Sequence, residues 1–272
     1  MNVRPALFAA AALATLAFAA VPARADSPKE LENVKGSVSY QKPDKLAKPV
    51  AVNAVVALAD SDYTITGAES LAQLTLPDSS QVMVGADTKV QLAFFDQTDI
   101  ANAKFVVYQG RTRFAVRHPQ GAKANYTFQT PTGTVAVRGT QGDIEYDRDG
   151  TLRVNVYEVC DPNLPVQVTT RGGAVLTLAP GQSLLARVVN GVVQTEVEQL
   201  TQQLIDRFSP EFGVPTSWDA AKGEVISYAQ SKAAGAAENA VPGYGGAAVS
   251  AVGGLFSHKS KPAPTAKPAT CQ

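Results

Sequence analysis

Thr130-Pro-Thr-Gly-Thr-Val-Ala-Val-Arg-Gly-Thr140 is the segment from which the architecture of this chain follows. Val135 and Val137 alternate with small or polar residues, the period-two pattern of a half-buried β-strand. Gly133 opens the run, and Gly139 closes it just after Arg138. A glycine at a strand end marks a turn, a bulge or a close approach of backbones. Nothing in the segment is catalytic; it reads as scaffold.

The alternation continues in both directions. Upstream, Ala72, Leu74 and Leu76 precede the turn Pro77-Asp-Ser-Ser80. Val82 and Val84 precede Gly85-Ala-Asp87, and Val90, Leu92 and Phe94 follow. Phe105 and Val107 lead to Gln109-Gly110, a turn signal, before Phe114 and Val116. Downstream, Ile144 and Tyr146 enter Asp147-Arg-Asp-Gly150, and Leu152, Val154 and Val156 leave it. Val166 with Val168 and Leu176 with Leu178 complete the series before Pro180-Gly181. Turns roughly every 8–12 residues with period-two alternation predict an all-β fold over residues 31–190, many short antiparallel strands in a sandwich or roll.

Near Thr195 the period changes. Val197, Leu200, Leu204, Ile205 and Phe208 fall at helical spacing, and Ser209-Pro210 is expected to end that helix. A weaker, Ala-rich helix is expected between Asp219 and Ala237, giving a helical C-terminal extension over residues 195–238. Residues 239–272 are a Gly-, Ala-, Pro- and Lys-rich tail with too little apolar surface to order itself.

The N-terminus predicts export. Arg4 precedes an apolar run from Ala6 to Val21, and Ala23-Arg24-Ala25 is a small-x-small cleavage site. This is the pattern of a secretory signal peptide over residues 1–25, cleaved after Ala25 into a periplasmic or secreted product. The alternative is a retained N-terminal anchor, which needs about 20 apolar residues. The sequence holds 24 basic and 24 acidic residues, so losing Arg4 and Arg24 leaves a formal charge of −2. A near-neutral chain lacks the basic surface of a nucleic-acid binder. The composition, 45% hydrophobic, suffices for a sizeable core, and no transmembrane span is expected after cleavage. Cys160 and Cys271 are the only cysteines. In an oxidising compartment they form a candidate disulfide; a buried Cys160 with a separate Cys271 is the other reading.

The chemistry-bearing residues are sparse. A hydrolase triad needs a general base, and the two histidines, His118 and His258, sit at an expected turn and in the tail. No catalytic residue and no cofactor is expected, and the chain is read as a non-enzyme. Asp143, Glu145, Asp147 and Asp149 form the densest acidic cluster. Oxygen ligands at that spacing suit calcium, but an EF-hand-like register puts Val156 where a carboxylate is required. The cluster is therefore read as a solvated strand face ending in an Asp-Gly turn, and no metal is expected. Arg111, Arg113 and Arg117 share the outer face of one hairpin near His118 and Lys123. That stripe either binds an acidic partner or keeps an edge strand soluble.

Four segments, and a closing turn, carry a family resemblance. They are Tyr63-Thr-Ile-Thr-Gly67 with Leu71-Ala-Gln-Leu-Thr-Leu-Pro-Asp-Ser-Ser80, Val84-Gly-Ala-Asp-Thr88, Gln109-Gly-Arg-Thr-Arg-Phe-Ala-Val116 and Thr130–Thr140, closed by Leu178-Ala-Pro-Gly-Gln182. In order and spacing, residues from about 50 to 190 resemble the FecR family of extracytoplasmic signalling domains. Ser79 stands where that family usually has glycine, and Val159-Cys160 follows Glu158 in place of a common glycine. The resemblance implies structural roles for Gly110, Gly133, Arg138, Gly139, Thr140 and Gly181. It implies a protein-binding or signalling scaffold whose partner is an envelope protein. The alternatives are a carbohydrate or cell-wall glycan module, disfavoured because the single tryptophan, Trp218, lies in the extension, and a membrane-anchored sigma-factor regulator if the N-terminal segment is retained.

Overall fold

The computed structural model describes residues 28–98, 100–117 and 124–213. The expected signal peptide, the second helix, the tail, His118, Lys123, Trp218, His258 and Cys271 lie outside these residues, and with Cys271 the candidate disulfide. In chain order the strands begin β1 (Lys29–Lys35), β2 (Val38–Gln41), β3 (Lys48–Val50), β4 (Val55–Leu58), β5 (Tyr63–Thr66), β6 (Leu71–Thr75), β7 (Gln81–Val84), β8 (Lys89–Asp96) and β9 (Ala101–Ala115). They continue as β10 (Ala124–Gln129), β11 (Gly133–Val137), β12 (Thr140–Tyr146), β13 (Leu152–Val159), β14 (Val166–Thr170), β15 (Val175–Leu178), β16 (Gln182–Val189) and β17 (Val192–Gln199). Helix α1 (Gln202–Phe212) follows.

The strands form two layers that share one member. The first layer has the order β4-β1-β6-β7-β9-β12-β13-β16-β17. The second has the order β3-β2-β5-β8-β9-β10-β11-β14-β15. All these pairings are antiparallel except β9–β10, which is parallel. The N-terminal part of β9 pairs with β8 and β10, and its C-terminal part, from Gly110 on, pairs with β7 and β12. In both layers β1–β8 therefore lie on one side of β9 and β10–β17 on the other.

Gly110 is where β9 crosses between layers. Its φ is +93°, and a Cβ there would run into Thr88. The turn expected at Gln109-Gly110 is thus a bend inside one long strand. Glycine signals a positive φ, which serves a bend as well as a reversal, and sequence alone does not tell them apart.

The core fills the space between the layers. Leu31, Leu74, Phe114, Ile144 and Leu184 from the first meet Val90, Leu92, Phe105, Phe128 and Val168 from the second. Phe114 and Phe128 span the gap with ring centroids 5.1 Å apart. Burying each such side chain stabilises the fold by about 1.5–3 kcal/mol. Val135 and Val137 are fully buried in β11, as the alternation predicts. The turn before them is fixed by Thr130, whose hydroxyl accepts from the Gly133 N–H at 3.1 Å and donates to the Gly133 carbonyl at 2.9 Å.

The C-terminal end departs from expectation. Val197 belongs to β17, not to a helix, because Asn190 (φ 52°) and Gly191 (φ 79°) make a two-residue turn that folds β17 back along β16. The helix starts after Thr201, whose hydroxyl accepts from the Leu204 N–H at 3.3 Å. It passes Ser209-Pro210 and ends at Phe212, capped by Gly213 (φ 74°). Pro210 sits in the last turn, where it forfeits one intrahelical bond without stopping the chain.

Candidate functional site

Helix α1 lies across the outer face of the first layer. Ile205 and Leu204 pack with Tyr157 and Leu200, while Phe208 and Phe212 pack with Leu71, Val34 and Met83. Between these apolar contacts lies a network of charges. In the register of β9 with β12, Arg113 stands directly opposite Asp143, and Arg111 opposite Glu145. Such directly opposed side chains are the contacts that stabilise a sheet pair.

Arg113 is 5% exposed, and its fork grips Asp143 through Nε at 2.7 Å and Nη2 at 3.0 Å. Its remaining nitrogen donates to the carbonyls of Phe212 (3.2 Å) and Gly213 (2.6 Å), the orphan acceptors at the end of α1. The guanidinium also sits 5.4 Å from the Tyr157 ring and 5.2 Å from the Phe212 ring. The Tyr157 hydroxyl donates to Asp143. Burial opposes the Arg113 cation, yet Asp143 holds it above its ordinary value. Burial holds the Asp143 carboxyl above the usual carboxylate range, against the pull of Arg113 and Tyr157.

Arg111 donates to Glu145 at 2.7 Å and approaches Glu211 of α1 at 3.7 Å. Arg207 of α1 donates to the same Glu145 at 2.8 Å. Glu211 accepts from the Ala86 N–H in the turn between β7 and β8. Gly85 makes room for that contact, since a Cβ there would strike the Glu211 carboxylate. Burial pushes the Glu211 carboxyl up, against the Ala86 bond and Arg111. Beside this network is a cleft of about 590 Å³ lined by Asp87, Gln109, Arg111, Tyr146, Asp147 and Glu211, among others. Burial also raises the Asp147 carboxyl.

Two expectations are corrected here. Arg111 and Arg113 do not lie on an edge strand, nor are they free for an acidic partner; β9 is central, and both serve internal ion pairs. Arg117 is exposed beyond the end of β9, where its N–H donates to Ser80 Oγ at 2.9 Å. Asp143 and Glu145 are not a solvated face, because the helix and the arginines bury both. Asp147 and Asp149 do form the expected Asp-Gly turn, with the Gly150 N–H donating to the Asp147 carbonyl at 3.0 Å. Among the described residues no three His, Cys, Asp or Glu groups gather as metal ligands.

The remaining motif positions are structural. Gly133 lets β11 approach the Thr169 carbonyl of β14. Arg138 and Gly139 (φ 82°) occupy the bend that carries the chain from β11 to β12, and the Gly139 carbonyl accepts from Cys160 N–H at 2.9 Å. Thr140 is fully buried, and its carbonyl accepts from Val116 N–H at 3.0 Å. Gly181 accepts from the Leu200 N–H at 2.7 Å. Glu211, Arg207 and Tyr157 escaped the sequence reading, which took Gly85 as a turn residue without its contact to the helix. The usable signal was Arg111-Thr-Arg113 against Asp143-Ile-Glu145, opposite charges at the same period on two strands.

The FecR protein family model matches residues 62–158, from just before β5 to nearly the end of β13. Two crystal structures of a candidate anti-sigma factor from Parabacteroides distasonis are similar to this chain at 22% and 21% identity. They cover 51% and 53% of this chain, with TM-scores of 0.41 and 0.42. The chain spans 60% and 64% of their own lengths, less than two thirds. No curated protein matches it in sequence. The segment from β5 to β13 thus matches the FecR family model, the family its strand and turn motifs resemble.

Proposed function

We propose that this chain is exported and acts in the periplasm or cell envelope as a non-enzymatic scaffold that binds a partner protein in signalling. The signal-peptide pattern of residues 1–25 supports export, and the match to the FecR family model supports the signalling role. The commitment of Arg111, Arg113, Asp143 and Glu145 to one another supports binding over catalysis. The observation that carries the reading is an apolar open side of the sandwich. There β3 and β4 are the outermost strands of the two layers, and Leu46 (90% exposed), Val52 (52%) and Val55 (53%) face solvent. Among the described residues these apolar side chains cluster on one side of the sandwich, and an exposed apolar patch of this kind suits contact with a partner protein.

The experiment is crosslinking of the chain in its native envelope, with partners identified by mass spectrometry, repeated for Leu46→Glu with Val55→Lys. A protein captured by the wild type and lost by the folded variant supports the reading. Recovery only with cell-wall glycan, or an identical capture by the variant, overturns it.

A further inference from the structure

The opposite open side of the sandwich ends in β17, whose outer side meets no other strand among the described residues. Outermost strands are normally kept short or blocked by Lys or Pro. Here β3 carries Lys48-Pro49, and β4 and β15 have four residues each, whereas β17 has eight with neither Lys nor Pro. It also exposes apolar surface, with Val192 65% and Val197 42% exposed and Val188 of β16 43% exposed alongside.

The backbone groups on this edge can be assigned. Residues opposite one another in an antiparallel pair alternate between hydrogen-bonded and non-bonded pairs. The two-residue turn makes Val189–Val192 a bonded pair. Leu200 N–H donating to the Gly181 carbonyl fixes the same parity at the far end of the hairpin. The even-numbered residues of β17 therefore bond inward to β16. Val193, Thr195 and Val197 turn their N–H and C=O groups outward, and their side chains lie on the same face as the core residues Leu184 and Ala186.

We propose that β17 pairs antiparallel with β17 of a second copy of this chain, with Thr195 opposite Thr195 on a two-fold axis. The strand is complementary to itself about that residue. Val193 of one copy lies opposite Val197 of the other, so every outward N–H and C=O of Val193, Thr195 and Val197 is paired in the same step. On the opposite face, Gln194 meets Glu196, an amide donor against a carboxylate, so no carboxylate lies directly opposite another. Glu198 lies opposite Val192, its charge already met by Arg153 at 2.8 Å. The contact is isologous and closes at two copies. It joins the first layers of both copies into one continuous sheet and covers the exposed valines. Because β17 and the β3–β4 side lie at opposite ends of the sandwich, this pairing and the partner site above stand or fall separately.

The test is analytical ultracentrifugation of the chain as recovered from cells, up to about 100 µM, a range that captures a weak interface of limited area. Amide hydrogen exchange is followed in parallel. Thr195→Pro removes an outward N–H and leaves the bonds to β16 intact; Val197→Lys places a charge on the outermost strand. The expected result is a dimer that either substitution weakens at least about tenfold. Amides of Val193, Thr195 and Val197 slow as concentration rises in the wild type and stay fast in Val197→Lys. Those of Val192, Gln194 and Glu196 stay slow throughout. If Thr195→Pro unfolds the hairpin, Val197→Lys decides alone. A monomer across the range with fast odd-numbered amides overturns the proposal. Odd-numbered amides protected in a chain that sediments as a monomer overturn it too, since something other than a second copy then covers the edge.

Discussion

Replacing Arg113 by Met tests how α1 is held. The substitution keeps most of the side-chain volume and removes the charge. Asp143, fully buried, is left with Tyr157 as its remaining hydrogen-bond donor, and the carbonyls of Phe212 and Gly213 lose their donor. Breaking a buried pair on one side costs about 3–5 kcal/mol, because the remaining charge has no compensation. With a urea dependence of about 2 kcal/mol per molar, the unfolding midpoint falls by roughly 2 M. Asp143→Leu alone strands the arginine and costs about as much. The double variant removes both charges and should lose little more than either single one, a coupling of about 2–4 kcal/mol. Urea unfolding of the four proteins, with hydrogen exchange of the α1 amides, measures this. Additive losses, or a cost below about 1 kcal/mol for Arg113→Met, would refute the view that this pair holds the helix to the sheet.

Gly110→Ala should destabilise the domain by about 3 kcal/mol or more, since it combines an unfavourable φ with a clash against Thr88; calorimetry reads the loss. Ser79 adopts a φ of 66°, a left-handed conformation that glycine takes without strain. Ser79→Gly should therefore be neutral or stabilising by up to about 1 kcal/mol in urea unfolding, and a clear loss would show that the serine hydroxyl matters more than the backbone. For Glu211 the sign follows from burial. Its carboxyl is raised on folding, so the folded chain takes up the proton more readily than the unfolded one. That contribution is full below the ordinary carboxylate value and is lost as pH rises through the folded value. The unfolding midpoint should rise from pH 7 towards about pH 5, and the rise should shrink in Glu211→Gln; an unchanged rise would assign it to Asp143 and Asp147 instead.

The buried alternation was legible. Val135, Val137, Phe105, Phe114 and Phe128 each fall on the face that the period-two pattern predicts, because a sheet with one face on the core repeats every second residue. The outer face was not legible. Asp143-Ile-Glu145 looks solvated on its own strand, and only the neighbouring strand and an overlying helix make it buried. Those are long-range facts, and a local pattern carries no record of them. The same limit explains Val197. Its spacing to Leu200 and Leu204 fits a helix, yet the Asn190-Gly191 turn commits it to a strand. Turn chemistry here outweighs a short apolar period.

The division of the sandwich by β9 bears on how the chain assembles as it is made. The half built from β1–β8 is complete in sequence before the half built from β10–β17 begins, and each contributes to both layers. Helix α1 comes after both and touches both, reaching Leu71, Met83 and Ala86 on the early side and Tyr157 and Glu145 on the late side. It cannot find its full set of contacts until the two halves have met along β9. In a chain that emerges from its N-terminus onward, seating of this helix reports that the domain above it is finished.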